Sequence, residues 1–446
     1  MKGIFLGLSI LAVITATAGA VALAGAVVAP LKTGEDEVFG PSPKLAEPQT
    51  FWVPTIQIPK PVGWGEDELP TVAPGLRVVE FAGGLDHPRW LYVLPDGSVL
   101  VAETNKPPKE TGGLKSWVMS FFMGKAGAGV ASPNRITRLV DSDGDGKADK
   151  RSVLLENLMS PFGMALVGDK LYVANADAVV RFPFKAGAEK IAEPAEIVTP
   201  LPGGPRNHHW TKNIIASRDG SRLYAAIGSN SNVGENGLVE EEGRAAIWEI
   251  ALSDAKARSF ATGLRNPVGM DFKPGTDELW TVVNERDVLG DNLVPDYLTH
   301  VKDGAFYGWP QKYYATHVDD RAPKPKSGGV PEAEMPDYAL GAHTASLGLA
   351  FSDGKTLGAE YVSGAFIGQH GSWNRTVPTG YRVIFVPFVD GMPSGAPSVV
   401  LGGFLNDKGQ ARGRPVGVTL DGKGGLLVAD DVGNKIWHIS ADATTR

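Results

Sequence analysis

The chain has 446 residues, 43% of them hydrophobic and 21% charged, an ordinary balance for a folded protein with room for one large domain or two smaller ones. A formal charge of −7 excludes a general affinity for nucleic acid. The lack of cysteine excludes disulfides, thiolate metal sites, iron–sulfur clusters, c-type haem attachment and a cysteine nucleophile, while 56 glycines and 33 prolines favour many short strands over long helices.

The amino terminus, "MKGIFLGLSILAVITATAGAVALAGAVVAPLK", carries one lysine at position 2 and no further charge until Lys32. Such a run predicts export, with residues 1–30 acting as a signal peptide or as a membrane anchor. The "ALAG" at 22–25 offers small residues for cleavage, and residues 4–29 are long enough to attach the chain to a bilayer. Residues 31–74 are rich in proline, glutamate and glycine, which predicts a linker that wraps along the domain surface.

From residue 75 to 446 the sequence repeats itself loosely. The units are "LDHPRWLYVLPDGSVLVAE" from Leu85, "SPFGMALVGDKLYVAN" from Ser160 and "HHWTKNIIASRDGSRLYAAIG" from His208. They continue with "RNPVGMDFKPGTDELWTVVNE" from Arg265, "TASLGLAFSDGKTLGAEYVSGAFIGQHG" from Thr344 and "RPVGVTLDGKGGLLVADD" from Arg414. Each has a polar or proline-containing start, a short apolar strand, a turn and a second strand. Four turns carry Asp-Gly, a hairpin signal because glycine tolerates positive φ. Six units at intervals of roughly 50–80 residues predict an all-β fold, a six-bladed β-propeller behind its hydrophobic amino-terminal segment. "LRVVEFAG" at 76–83 and "KIWHIS" at 435–440 are the candidate strands for closing the ring.

In a propeller, the loops leading into the innermost strands crowd one end of the central channel. The residues there include Asp86, His87, Ser160, His209, Arg265, Asn266, His343, Arg412 and Arg414. Polar and cationic groups from distant parts of the chain are therefore expected to converge on one mouth. Two insertions stand out. "GGLKSWVMSFFMGKAGAG" from Gly112 reads as a segment packing on its own domain or as an interfacial helix on a membrane. The connection 286–343, rich in aromatics and prolines, reads as a long link between the fourth and fifth units that roofs the mouth.

"DSDGDGKAD" places Asp141, Asp143, Asp145 and Asp149 at relative positions 1, 3, 5 and 9 with glycine at 6, the front of an EF-hand-type loop. Hard Ca²⁺ needs several oxygens on a tight loop, so a structural Ca²⁺ is predicted. Ser152 stands where such a loop has its bidentate glutamate, and another group must complete the shell; a solvated acidic turn is the plainer alternative. In "NHHW", His208 and His209 point opposite ways if extended, so one faces the channel, where an imidazole suits general base work. "GLRNP" at 263–267 and "ARGRP" at 411–415 bring arginines to the same mouth, and convergent arginines suit a planar multi-anion or salt bridges between blades.

These stretches, with "LWTVVNERD", "GAHTASLGLAF" and "GQHGSWNR", resemble the pyrroloquinoline quinone (PQQ)-dependent soluble aldose dehydrogenases, most closely their sorbosone-dehydrogenase-like branch. The similarity runs from about Leu85 to the end. It implies PQQ and Ca²⁺ as cofactors and oxidation of a sugar hemiacetal to a lactone, or of a hydrated aldehyde to an acid. An external electron acceptor would then be needed, as befits an exported, periplasmic enzyme. Carried over by residue, the resemblance makes His209 the catalytic base and sets Arg265 and Asn266 at the reactive carbonyl of the quinone. It places Arg412 and Arg414 on the cofactor carboxylates, and the backbone carbonyls of Glu285 and Arg286 on the cofactor's Ca²⁺. The family has Gly-Pro at those last two positions. Its cofactor-binding lysine has no direct counterpart; Arg375 and His370 both stand near the position.

Two other readings fit a six-bladed propeller. A lactonase-like hydrolase would hold a metal in the channel, with Glu103, Asn175, Asn284 and Asp430 at strand ends as candidate ligands. A calcium-stabilised binding propeller would have no turnover at all.

Overall fold

Each of the six turns expected between paired strands holds a glycine in the left-handed region. Gly97, Gly168, Gly220, Gly275, Gly354 and Gly422 have φ between 58° and 81°. The strands they connect form six antiparallel sheets, four of four strands and two enlarged by strands from elsewhere. The computed structural model describes residues 38–49, 55–107, 131–325 and 329–442. The hydrophobic run at 1–30 and the insertion from Gly112 lie outside the described residues. Among the described residues no helix is long and apolar enough to cross a membrane.

The innermost strands are Pro88–Val93, Met164–Val167, Lys212–Ala216, Pro267–Phe272, Ser346–Phe351 and Pro415–Leu420, each packed against the next around a closed ring. Leu76–Ala82 supplies the outermost strand of the sixth blade by pairing antiparallel with Lys435–Ala441. The two ends of the chain thus lock the ring through one sheet. The fold is the six-bladed β-propeller expected from the repeats.

Two-residue periodicity builds the interfaces between blades. Along Arg222–Ile227, the side chains of Leu223, Ala225 and Ile227 face the second blade, whereas Tyr224 and Ala226 face the fourth. A separate apolar cluster of this kind fills each gap between neighbours.

Glycines at the start of the inner strands, three of them in Pro-x-Gly, let the strands approach. A Cβ on Gly163 would stand 2.2 Å from the Ile214 amide nitrogen, and one on Gly348 would stand 2.3 Å from the Val416 carbonyl oxygen. Gly269 and Gly417 are confined in the same way by Leu349 and Arg89. At the axis Trp90, Phe162, Trp210, Val268, Leu347 and Val416 share one cluster and plug the channel.

Residues 38–49 and 55–72 lie along the propeller. Phe39–Gly40 adds a strand to the fourth blade and Thr71–Val72 adds one to the fifth. Between them Trp64 packs edge-on against Phe404 and Trp437 and donates to Asp430 at 2.7 Å. The structure corrects one expectation. The stretch 286–343 is not a single connection, because Pro295–His300 and Tyr338–Ala342 are the third and fourth strands of the fourth blade. Their Pro, Asp and Gly residues hide a strand pattern that burial on both faces makes unnecessary.

Candidate functional site

Above the apolar plug an open cavity, with about 400 Å³ of free space counting its mouth, is lined by Arg89, His208, His209, Trp210, Asn266 and Leu347, among others. These residues come from four blades, so the cavity exists only once the ring has closed.

On one side stands His209. Its Nδ1 lies 2.8 Å from the Ser229 carbonyl oxygen and 3.0 Å from the Ser229 hydroxyl. A carbonyl can only accept, so Nδ1 carries the proton and Nε2 the lone pair. Burial, then the positive charges of Arg265 and His208, push the imidazole well below its ordinary pKa of 6.5. Gly228 makes the arrangement sterically open: a Cβ there would meet the Asn266 carboxamide at 2.3 Å and the His209 Cβ at 2.5 Å. Asn266 is buried, and its Oδ1 has no hydrogen-bond partner among the described residues.

Arg265 sits beneath this pair, 1% exposed, with every donor position of its guanidinium engaged. Nε donates to the Asn232 carbonyl, Nη2 to the Asn232 and Asp287 side chains, and Nη1 to the Glu285 carbonyl at 2.6 Å. Asp287 also meets His343 at 3.2 Å. Burial opposes charge on both, but their mutual contact wins, leaving the Asp287 carboxyl below its usual value and His343 above.

On the other side is Asp431, 2% exposed. It accepts from Arg89 Nη1 at 2.6 Å and from His370 Nε2 at 2.9 Å, and His87 Nε2 stands 3.6 Å away. Burial would raise its pKa, but the surrounding bases hold the carboxyl far below its ordinary range. Arg89 lies over the Trp210 ring, 5.6 Å from the centroid, which ties this cluster to the His209 loop across the channel. Arg414, 6% exposed, lies over Tyr381 at 5.0 Å. Its Nε and Nη2, like the Nε of Arg89, are buried with no hydrogen-bond partner among the described residues.

His209, Asn266 and Arg265 therefore come together, and Arg414 joins them through Arg89. Arg412 does not line the cavity: it is paired with Glu68 of the amino-terminal strap, both contacts at 3.1 Å. Arg375 lies on an outer loop and donates to Asn292. His370, its alternative, is half-buried against Asp431, with desolvation taking its pKa down to about 4. The Glu285 carbonyl already accepts from Arg265, and the fully buried Arg286 side chain holds the carbonyls of Pro310 and Lys312. A Ca²⁺ on those two backbone carbonyls would have to displace the Arg265 guanidinium from the Glu285 carbonyl. The residues as arranged do not fit it there.

In the acidic loop, carboxylate oxygens of Asp141, Asp143 and Asp145 lie within 4.8 Å of one another, a spacing that suits one cation. Asp149 instead accepts from Ser142. The four candidate hydrolase ligands are all bound into local structure. Glu103 holds Arg135 and the Asp86 amide, Asn175 the Met159 amide, Asn284 bridges Arg265 and Asp296, and Asp430 holds Trp64 and Trp437. Sequence reading missed Arg89 and Asp431. One signal for Arg89 was present: the residue after the proline is Phe162, Val268 and Val416 in three other units but arginine in the first.

The ring of blades around a polar, cation-rich mouth defines a propeller with its site on the axis. The chain belongs to the TrAA12-like family, whose model matches residues 130–301 and 327–442. An uncharacterized protein of Borreliella burgdorferi is 31% identical over 312 residues, which cover 66% of this chain and 79% of that protein. A pyrroloquinoline quinone-dependent pyranose dehydrogenase of Coprinopsis cinerea is 22% identical over 360 residues, 71% of this chain. The chain spans 44% of that relative's length. Among solved structures, the holo PQQ domain of the Coprinopsis cinerea pyranose dehydrogenase superposes with a TM-score of 0.66 at 20% identity, covering 86% of this chain and 100% of that one. The calcium structure of the Trichoderma reesei AA12 enzyme gives 0.65 at 18%, covering 87% and 99%. These structures establish the shared fold, in line with the resemblance read from the sequence.

Proposed function

We propose that this protein is a quinoprotein sugar dehydrogenase that oxidises a sugar hemiacetal or a hydrated aldehyde, with PQQ and Ca²⁺ as cofactors. One observation carries this reading. An imidazole with one nitrogen anchored shares a cavity with Arg89, and the buried Nε of Arg89 and the Nε and Nη2 of Arg414 have no partner among the described residues. Unsatisfied buried N–H groups cost roughly 1–3 kcal/mol each, so a mouth that keeps several is built for an anionic ligand. PQQ is a planar tricarboxylate, and the free donors of Arg89 and Arg414 suit its carboxylates. Bound there, the quinone supplies the two-electron acceptor that the protein's own side chains cannot.

The work of the chain is binding and proton transfer. His209 Nε2 takes the proton from the substrate hydroxyl as the carbon is oxidised, while the Ser229 carbonyl holds Nδ1–H and fixes the ring. Arg265 acts through His209: with burial, its charge keeps the imidazole neutral, and its hydrogen bonds fix the 284–287 loop. The acidic loop at Asp141, Asp143 and Asp145 is the proposed Ca²⁺ site, in a structural role. A sugar substrate gives a lactone and a hydrated aldehyde an acid, and the electrons leave to an external acceptor. The apolar run at 1–30 supports export to the periplasm, either free or tethered.

The test is reconstitution. Protein incubated with Ca²⁺ and PQQ is given a panel of aldoses and aldehydes with a redox dye. Dye reduction that depends on PQQ is expected. Hydrolysis of lactones without PQQ, or no turnover of any sugar or aldehyde, would overturn the reading.

A further inference from the structure

Arginines at a ligand mouth are distinguished by what their N–H groups already hold. Arg412 and Arg414 are two residues apart, yet they face different partners. Arg412 lies against Trp64 and forks onto Glu68, a carboxylate on the strap whose pKa is lowered by the Gly65 amide and by Arg412 itself. Arg414 keeps two buried donors unsatisfied.

Arg89 keeps one, and Asp431 orients it. One Asp431 oxygen takes Nη1, the Trp210 face supports the plane, and the remaining edge of the fork is directed away from the carboxylate. Asp431 also accepts from His370, and its own amide donates to the Arg414 carbonyl at 3.3 Å. The neighbouring Asp430 offers the guanidiniums nothing, because its oxygens accept from Trp64, Trp437 and the amides of Arg414 and Gly433. The two arginines are close enough for the charge of Arg414 to bear on Arg89.

We infer that the anion-holding pair of this mouth is Arg89 with Arg414, set by Asp431, and that the strap withdraws Arg412 from the ligand through Glu68. The inference rests on the quinone reading for the identity of the ligand, but the clamp itself is a property of the protein. A planar guanidinium held by one edge presents the other in a fixed direction, the geometry that suits a carboxylate on a rigid ring.

The experiment is equilibrium titration of the full chain with PQQ and, separately, with benzene-1,3,5-tricarboxylate, followed by quenching of tryptophan fluorescence. Wild type is compared with Arg89→Gln, Arg89→Lys, Arg414→Gln and Arg412→Gln, with thermal melting of each as the check on folding. Arg89→Gln and Arg414→Gln are expected to weaken PQQ binding at least tenfold, and Arg412→Gln less than threefold. Arg89→Lys keeps a cation for Asp431 but loses the fork, so it should stay folded and still lose affinity. Unchanged PQQ binding in folded Arg89→Lys and Arg89→Gln overturns the inference, as does a tenfold loss confined to Arg412→Gln. If wild type binds the tricarboxylate but not PQQ, the quinone reading fails, and loss of the tricarboxylate in Arg89→Gln would still support the clamp. Binding of neither overturns both.

Discussion

The Nδ1 of His209 lies 2.8 Å from the carbonyl oxygen of Ser229, the residue that begins the loop after the second strand of its own blade. That single contact assigns the tautomer and leaves Nε2 as the basic nitrogen. The loop is in turn held by the fourth blade, because the Ser229 amide donates to the Arg265 carbonyl at 2.7 Å. Ring orientation, tautomer and the nearby cation are thus set by one short stretch of backbone.

This predicts an unusual acid limb. A base is lost when it protonates, and protonation occurs below the folded-state pKa. Burial and Arg265 put that value well below 6.5 for His209. The kcat/KM of the reconstituted enzyme should therefore stay level as pH falls through 6.5 and decline only below it. Half-maximal activity at pH 6.5 or above would contradict the assignment.

The glycine pattern predicts a stability effect. A Cβ at Gly348 would press on the Val416 carbonyl and, at 3.0 Å, on the Val418 amide, both rigid backbone. Gly348→Ala should cost about 2–3 kcal/mol by overpacking. Gly329→Ala, where a Cβ meets no described residue within 4 Å, should change little. Urea midpoints of the two variants decide it, and equal midpoints would contradict the account of the ring.

The acidic loop predicts a calcium-dependent melting temperature. Millimolar Ca²⁺ should stabilise wild type, by about 2.7 kcal/mol if the ion is at a hundred times its Kd. A chelator should reverse the shift. Asp143→Asn, which removes one of three convergent carboxylates, should abolish it. Melting curves with Ca²⁺ and with chelator test this, and a wild type indifferent to both would remove the proposed site.

The architecture was written in local signals. Asp-Gly pairs and the short apolar runs on either side of them act over a short stretch of chain, where turn chemistry and two-fold periodicity decide the outcome. The third and fourth strands of the fourth blade were illegible for the opposite reason. Buried on both faces, they need no alternation, and Pro295 and Asp296 read as loop. The site divides the same way. His209 could be picked out because a His-His-Trp run before a strand is rare in a chain with 8 histidines. Arg89 and Asp431 are 342 positions apart, and Arg412 and Glu68 are 344 apart. Only ring closure and the path of the strap bring those charges together, and no spacing rule reaches so far.

The most direct measurement is anaerobic mixing of PQQ-loaded protein with excess aldose or aldehyde while the quinone absorbance is recorded, in wild type and in His209→Ala at matched PQQ occupancy. The account predicts one equivalent of quinone reduced in wild type and, for loss of a positioned base, a reduction rate about 10²–10⁴-fold lower in His209→Ala. Equal rates in the two proteins, or a quinone that stays oxidised in fully loaded wild type with every substrate, would contradict it.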